Sequence, residues 1–247
     1  MFDVVALGEL LIDFAPQGKS AQGNALFEAC PGGAPCNVLA MLAKLGGRTA
    51  FIGKLGNDIF GHRLRDTVSS LGIDTRGVVF DGEVNTTLAF VSIDDTGERS
   101  FSFYRTPGAD MRLRADEVDL KLVRSTRIFH FGSLSTTHQE VREATRSAVT
   151  AAKAAGALIS FDPNLRPPLW GSLSEAREQI LWGCSECDIL KVSAEEAEFL
   201  TGEKTPYDAA SAIQERFPHI RLIFVTSGRD GSAVLHRGRF IAEPAFE

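Results

Sequence analysis

Apolar residues recur along the chain with two alternating periods. Short runs rich in Val, Ile, Leu and Phe predict strands over 4–10, 49–55, 127–132, 157–162, 188–193 and 222–226. Between them, apolar positions three and four residues apart predict helices over 35–45, 58–71, 139–155, 174–184, 194–201 and 207–217. Gly46, Gly72 and Gly156 stand where helix C-terminal caps belong. Strands alternating with helices predict an α/β fold with a mostly parallel central sheet and helices on both faces.

One stretch breaks the alternation. Residues 86–105, "TTLAFVSIDDTGERSFSFYR", form two period-2 runs around the turn "DDTG" and predict a hairpin lying off the main sheet as a flap. On its second arm Phe101 and Phe103 alternate with Ser100, Ser102 and Tyr104. Those rings either pack on the core or form a face that closes over a ligand. The final run, "FVTSGRDGSAVLHRGRFIAEPAFE", predicts a strand, a glycine turn and a small hairpin.

Composition narrows the function classes. A length of 247 residues suits one large α/β domain, and 44% hydrophobic with 23% charged residues is ordinary for a soluble globular protein. The net charge is −6 with Lys and Arg scattered, which argues against nucleic acid as a partner. The opening "MFDVVALGELLIDF" lacks a basic start and soon meets Glu9 and Asp13, so it reads as a buried strand and not a signal peptide. No apolar run approaches membrane-spanning length, so no membrane association is expected. Cys184 and Cys187 have C-x-x-C spacing, but no second ligand pair accompanies them. They read as two unconnected thiols of a reducing, cytoplasmic protein.

In a parallel sheet, ligands gather at the carboxyl ends of strands. Polar residues predicted there are Asp13, then Gly32, Gly33 and Asn37 in "PGGAPCN", Asp162, Asn164 and Arg166 in "FDPNLRPPLW", Lys191, Ser193 and Glu196 in "LKVSAEEAEFLTG", and Thr226, Ser227 and Gly228 in "VTSG". As isolated residues, caps and turns account for them equally well. The loop "PGGAPCN" lacks both the Lys-Ser/Thr pair of a Walker A loop and G-x-G-x-x-G spacing. Its glycines allow close backbone approach, and the Asn37 amide suits vicinal hydroxyls; a close-packed turn is the alternative. Prolines 163, 167 and 168 stiffen the segment around Arg166, whose planar fork can meet a carboxylate or phosphate. Glu196 can organise Mg²⁺ through water, or simply favour the start of its helix. His130, between Phe129 and Phe131, reads as a packed strand residue.

The segments "VVALGELLIDF", "PGGAPCNVLAMLAKLG", "FIGKLGNDIFG", "FYRTPGADM", "FDPNLRPPLW", "LKVSAEEAEFLTG" and "VTSGRDG" occur in one order. Together they resemble the ribokinase-like (PfkB) carbohydrate kinases, most closely the fructokinase branch. The resemblance implies a three-layer α/β domain with a small β-sheet lid, built from about 12–31 and 78–108, and ATP-dependent phosphorylation of a sugar hydroxyl. On this resemblance Asp13, Gly32, Gly33, Asn37, Phe101, Phe103, Arg105 and Arg166 bind the sugar, with Arg166 also near the transferred phosphate. Asn164, Lys191, Ser193, Glu196, Thr226, Ser227, Gly228 and Gly231 correspond to nucleotide contacts, with Glu196 holding Mg²⁺ through water. It also implies a monovalent cation such as K⁺ and a homodimer formed through the lid.

Departures from the family pattern are Leu39, where a small residue is usual, and Ser193, where Asn is common. The family's Asp-Thr-x-Gly-Ala-Gly-Asp motif, with its anion hole and catalytic base, does not occur in these residues. The chain is therefore expected to be truncated at its C-terminus, without that part of the fold, and the kinase activity is expected of the full-length form. Fructose is the expected acceptor, with 2-keto-3-deoxygluconate, ribose or a nucleoside as alternatives; a non-catalytic sugar-binding or regulatory relative is the other reading.

Overall fold

The computed structural model describes residues 1–93 and 99–245. In chain order the strands and helices are β1 (Phe2–Leu7), β2 (Leu11–Lys19), β3 (Ala25–Gly32), α1 (Ala34–Lys44), β4 (Thr49–Gly56), α2 (Ile59–Ser70) and β5 (Asp74–Asp81). Next come β6 (Leu88–Ile93), β7 (Arg99–Tyr104), α3 (Leu120–Arg124), β8 (Thr126–Gly132), α4 (Gln139–Ala154), β9 (Leu158–Asp162) and α5 (Leu173–Glu186). The last are β10 (Ile189–Ser193), α6 (Ala194–Thr201), α7 (Pro206–Arg216), β11 (Leu222–Thr226), β12 (Ser232–His236) and β13 (Arg239–Glu243).

Nine strands form the main sheet in the order β13-β12-β11-β10-β9-β8-β1-β4-β5. Its pairings are parallel except for β11–β12 and β12–β13, which are antiparallel. Strand residues alternate between two apolar layers. Val5, Leu7, Phe129, Phe131, Ile159, Leu190 and Val225 enter one. Val4, Ala6 and Phe51 enter the other, beside Leu39 of α1 and Leu64 of α2. Leu39 is fully buried there, which accounts for a large residue at that position. His130, on the second layer's side, is buried and meets Ser160 Oγ through Nδ1 at 3.0 Å.

A second sheet, ordered β3-β2-β6-β7, stands apart from the first. The expected hairpin is β6 and β7, paired Leu88 to Tyr104 through Val91 to Phe101. Its turn, read at 94–97, lies outside the described residues. The first predicted strand, 4–10, ends at Leu7, because Gly8–Leu10 carry the chain across into β2. Asp13 consequently sits inside a strand, paired with Cys30 and Ala89, and not in a loop after β1. Gly32 closes β3 and Asn37 lies in α1, so "PGGAPCN" is only briefly a loop. Residues 78–81, read with the lid segment, belong to β5 of the main sheet. Strands β2 and β3 escape the alternation rule because they are exposed over much of their length and their register shifts between Pro16 and Lys19.

Candidate functional site

The carboxyl ends of β1, β8, β9 and β10 point to one edge of the main sheet, and the second sheet leans over that edge. A cavity of about 180 Å³ lies between them. From the second sheet it is lined by Leu11, Asp13, Phe101 and Phe103; from the main body by Glu9, Gly33, Ala34, Asn37, Leu134, Asn164 and Arg166. The Phe101 and Phe103 rings stack at 6.0 Å, so this arm offers an aromatic face to the cavity. Phe14, Phe27, Phe90 and Tyr104 cluster separately, with the Phe14 and Phe90 rings at 4.7 Å.

Backbone conformation shapes the wall nearest α1. Gly33 has φ +122°, and a Cβ there would come within 2.4 Å of the Glu9 carbonyl oxygen. Gly33 offers α1 no side-chain cap. Instead Ala34 N–H donates to Glu9 Oε1 at 2.8 Å, a cap supplied from 25 residues upstream. Glu9 is 4% exposed, and burial pushes its carboxyl up to about 7. Burial also raises the Asp13 carboxyl, partly offset by the positive charge of Arg166.

Arg105 does not line this cavity. Its guanidinium is buried, donating to Asp110 Oδ2 at 2.8 Å through Nε, to Thr137 Oγ1 at 3.0 Å and to the Leu134 carbonyl at 3.0 Å. The structure thus gives Arg105 a supporting position behind Leu134, where sequence reasoning placed it against the ligand. Glu9 is the ionisable cavity residue that sequence reasoning missed, beside the apolar Leu11, Ala34 and Leu134: within "LGELLIDF" it looks only like a strand end.

A second cavity, of about 490 Å³, adjoins the first. Lys191, Ser193, Glu195, Glu196 and Phe199 line it, and it shares Asn164 and Arg166 with the first. Asn164 has φ +46°, unusual for a residue with a side chain, and its N–H donates to Asp162 Oδ1 at 3.1 Å. Lys191 Nζ lies 3.2 Å from Asp162 Oδ2. Burial raises the Asp162 carboxyl, with Lys191 the largest opposing influence.

Both Glu196 oxygens are engaged: Leu165 N–H donates to Oε1 at 2.6 Å and Ser193 N–H to Oε2 at 2.8 Å. Ser193 Oγ accepts from Glu196 N–H, completing a capping box on α6. Ser193 is therefore a helix cap with a short polar reach. Among the described residues no three His, Cys, Asp or Glu side chains converge as a metal cage. Glu196 retains lone pairs for a metal-bound water, the usual way Mg²⁺ meets protein when phosphates supply its other oxygens.

Thr226 pairs with Ser193 across β10 and β11, and Ser227 N–H donates to the Gly231 carbonyl at 2.9 Å. Ser227 lines a separate cavity beside Ala194 and Tyr207, so the 226–231 loop flanks the Lys191 cavity without lining it. Cys184 and Cys187 are free and buried, with both thiols pushed up by burial. Among the described residues no helix is long and apolar enough to cross a membrane.

The pfkB family carbohydrate kinase pattern matches residues 1–247. The chain belongs to the pfkB family of carbohydrate kinases. "Probable fructokinase-2" of Arabidopsis thaliana is 49% identical over 230 residues, covering 92% of this chain and 70% of that protein. A fructokinase from Xylella fastidiosa superposes with TM-score 0.88 at 36% identity, covering 100% of this chain and 77% of its own. A fructokinase from Xylella fastidiosa with bound ATP gives 0.85 at 35% identity, covering 99% of this chain and 78% of its own. An Escherichia coli protein designated ribokinase II, in complex with ATP and Mg²⁺, gives 0.88 at 26% identity, covering 100% and 79%. This pfkB-family chain is thus a kinase of the ribokinase-like fold, with two adjoining cavities at the edge where its strands end.

Proposed function

We propose that the chain is an ATP-dependent fructokinase, transferring the γ-phosphoryl group of ATP to O6 of D-fructose. The observation that carries this reading is the shared wall: Asn164 and Arg166 line both the small polar cavity and the larger one beside Lys191. A sugar in the first cavity would find Asp13 and Asn37 as hydroxyl partners and the Phe101–Phe103 face above it. Triphosphate in the second would meet Lys191 and Arg166. In transfer, the bond from O6 to the γ-phosphorus forms, the β–γ bridging bond breaks, and ADP leaves. The hydroxyl proton passes to a general base, which in the family pattern is the Asp closing an Asp-Thr-x-Gly-Ala-Gly-Asp motif that the 247 residues do not contain. Bound Mg²⁺ neutralises phosphate charge; Glu196 would hold it through water. Arg166 orients the transferring group and stabilises its charge.

The second sheet acts as a lid in this reading, and its outer aromatic cluster fits a homodimer. Phe27 is 45% and Tyr104 66% exposed there, at a sheet with open edges. A monomeric mass in solution overturns the dimer. Replacing K⁺ by Na⁺ in the assay tests the monovalent cation. The function is tested by a phosphorylation panel of fructose, ribose, a nucleoside and 2-keto-3-deoxygluconate. In a protein that carries the catalytic motif, turnover of fructose above the others is expected, and preference for another acceptor overturns the substrate. Fructose bound without turnover by such a protein marks a sugar-binding relative.

A further inference from the structure

Glu9 holds a buried carboxylate of which only one oxygen has a protein partner. Oε1 accepts from Ala34 N–H at 2.8 Å, while Oε2 is buried and has no hydrogen-bond partner among the described residues. A buried carboxylate oxygen left unpaired costs far more than an exposed one, so such groups ordinarily find a donor. The residue lines the cavity that also holds Asp13, Asn37 and Arg166.

The neighbouring charges do not relieve it. Arg105 is the nearby cation, and its guanidinium is already committed to Asp110, Thr137 and the Leu134 carbonyl. Asp110 adds a like charge, and its own oxygens accept from Thr87 Oγ1 and Arg105. From α1 the nearby ionisable group is the buried Cys36 thiol, which lies in the field of Glu9. Among the described residues no neighbour supplies a donor for Oε2, and the cavity is the open space that Glu9 borders.

We infer that Glu9 is a sugar-binding residue, its Oε2 accepting a hydrogen bond from one hydroxyl of the acceptor while Oε1 stays on Ala34 N–H. The inference rests on the sugar-site reading and deepens it. Because Oε1 caps α1 and Gly33 packs against the Glu9 backbone, the same side chain fixes the α1 end of the cavity before the sugar arrives. An acceptor lacking a donor at that one position would leave Oε2 unpaired and be rejected.

Glu9→Gln is the discriminating variant. Its amide oxygen can keep the Ala34 bond, while its NH₂ replaces an acceptor with a donor at the Oε2 position. Binding of D-fructose and of its singly deoxyfluorinated derivatives is measured by calorimetry for both proteins at about pH 8.5, above the value to which burial pushes the Glu9 carboxyl, so that Oε2 is an acceptor. Fluorine removes the hydroxyl's donor while keeping its size. The expected result is one position where fluorination weakens wild type by about tenfold to a hundredfold and leaves E9Q nearly unchanged.

Equal losses in the two proteins at every position overturn the role of Glu9 alone. Wild type that binds none of these sugars overturns the sugar-site reading itself. A second measurement needs no variant: the ¹³C resonance of the Glu9 carboxyl in wild type shifts on adding fructose, and a resonance that stays in place overturns the contact.

Discussion

Gly32 and Asp13 lie side by side across β2 and β3, so close that a Cβ on Gly32 would come within 2.1 Å of Asp13 Oδ2. The neighbour at risk is the tip of a mobile side chain, so Gly32→Ala is expected to displace the carboxylate more than the fold. Sugar affinity should fall about tenfold or more while the melting temperature changes little. Calorimetry and thermal unfolding check this, and unchanged affinity would show that Asp13 does not need its present rotamer.

Gly33→Ala should behave differently. Here the Cβ meets backbone, 2.4 Å from the Glu9 carbonyl oxygen and 3.2 Å from Leu10 Cα, at φ +122°. Neither atom can swing away. A loss of about 2–4 kcal/mol is expected, read as a fall of roughly 5–10 °C in Tm.

Stability against pH separates two buried groups of opposite sign. Burial moves Glu9 from 4.5 up to about 7, so between these values the folded state keeps a proton that the unfolded chain releases, and stability falls as pH rises. Burial moves His130 from 6.5 down to about 4, so there the unfolded chain holds the proton, and stability falls as pH drops. From pH 4.5 to 6.5 the two slopes oppose. Glu9→Gln should leave stability climbing by about 2–3 kcal/mol across that window, and His130→Asn should leave it descending by a similar amount. Urea titrations at a series of pH values decide it; parallel profiles for all three proteins would falsify both assignments.

Asn164 holds a left-handed backbone with a side chain attached. Asn164→Ala is expected to cost about 1 kcal/mol in backbone strain, and Asn164→Gly to recover it. Neither should retain full ligand affinity if the amide contacts substrate. Comparing unfolding and ATP binding for the pair divides conformation from contact.

Lys191→Met should weaken ATP binding by about tenfold to a hundredfold and leave fructose binding close to wild type, since Lys191 lines only the larger cavity. Fluorescent nucleotide titration and sugar calorimetry on the same preparation provide the comparison. Equal losses for both ligands would sink the division of the site into two cavities.

Much of this arrangement is legible in the chain. The six core strands and their helices follow from apolar period, and Gly46, Gly72 and Gly156 take the positive φ expected of caps. Asn164 and Arg166 follow the end of β9, where α/β sheets collect ligands, so their place could be expected, whereas Asp13 lies within β2, Asn37 in α1 and Lys191 inside β10. What stays hidden depends on tertiary neighbours. Glu9 is one acid in an apolar run until Ala34 is brought onto it. Arg105 sits in a phenylalanine-rich arm and looks ligand-facing, yet its fork turns inward to Asp110. Strands β2 and β3 show weak alternation because one sheet face and much of their length meet solvent. Glu196 reads as a metal residue, and only the structure reveals that two backbone amides already occupy it.

Only Gly8, Glu9 and Leu10 separate the end of β1 from the start of β2, and the two sheets divide the smaller cavity, the proposed acceptor site, between them. That division makes the site modular. Residues on the flap, such as Phe101 and Phe103, can be exchanged without disturbing either apolar layer, whereas Asn164 and Arg166 are tied to a neighbouring cavity. Diversification of acceptor preference is therefore expected to concentrate on the flap, with the main-body half of the cavity inherited nearly intact.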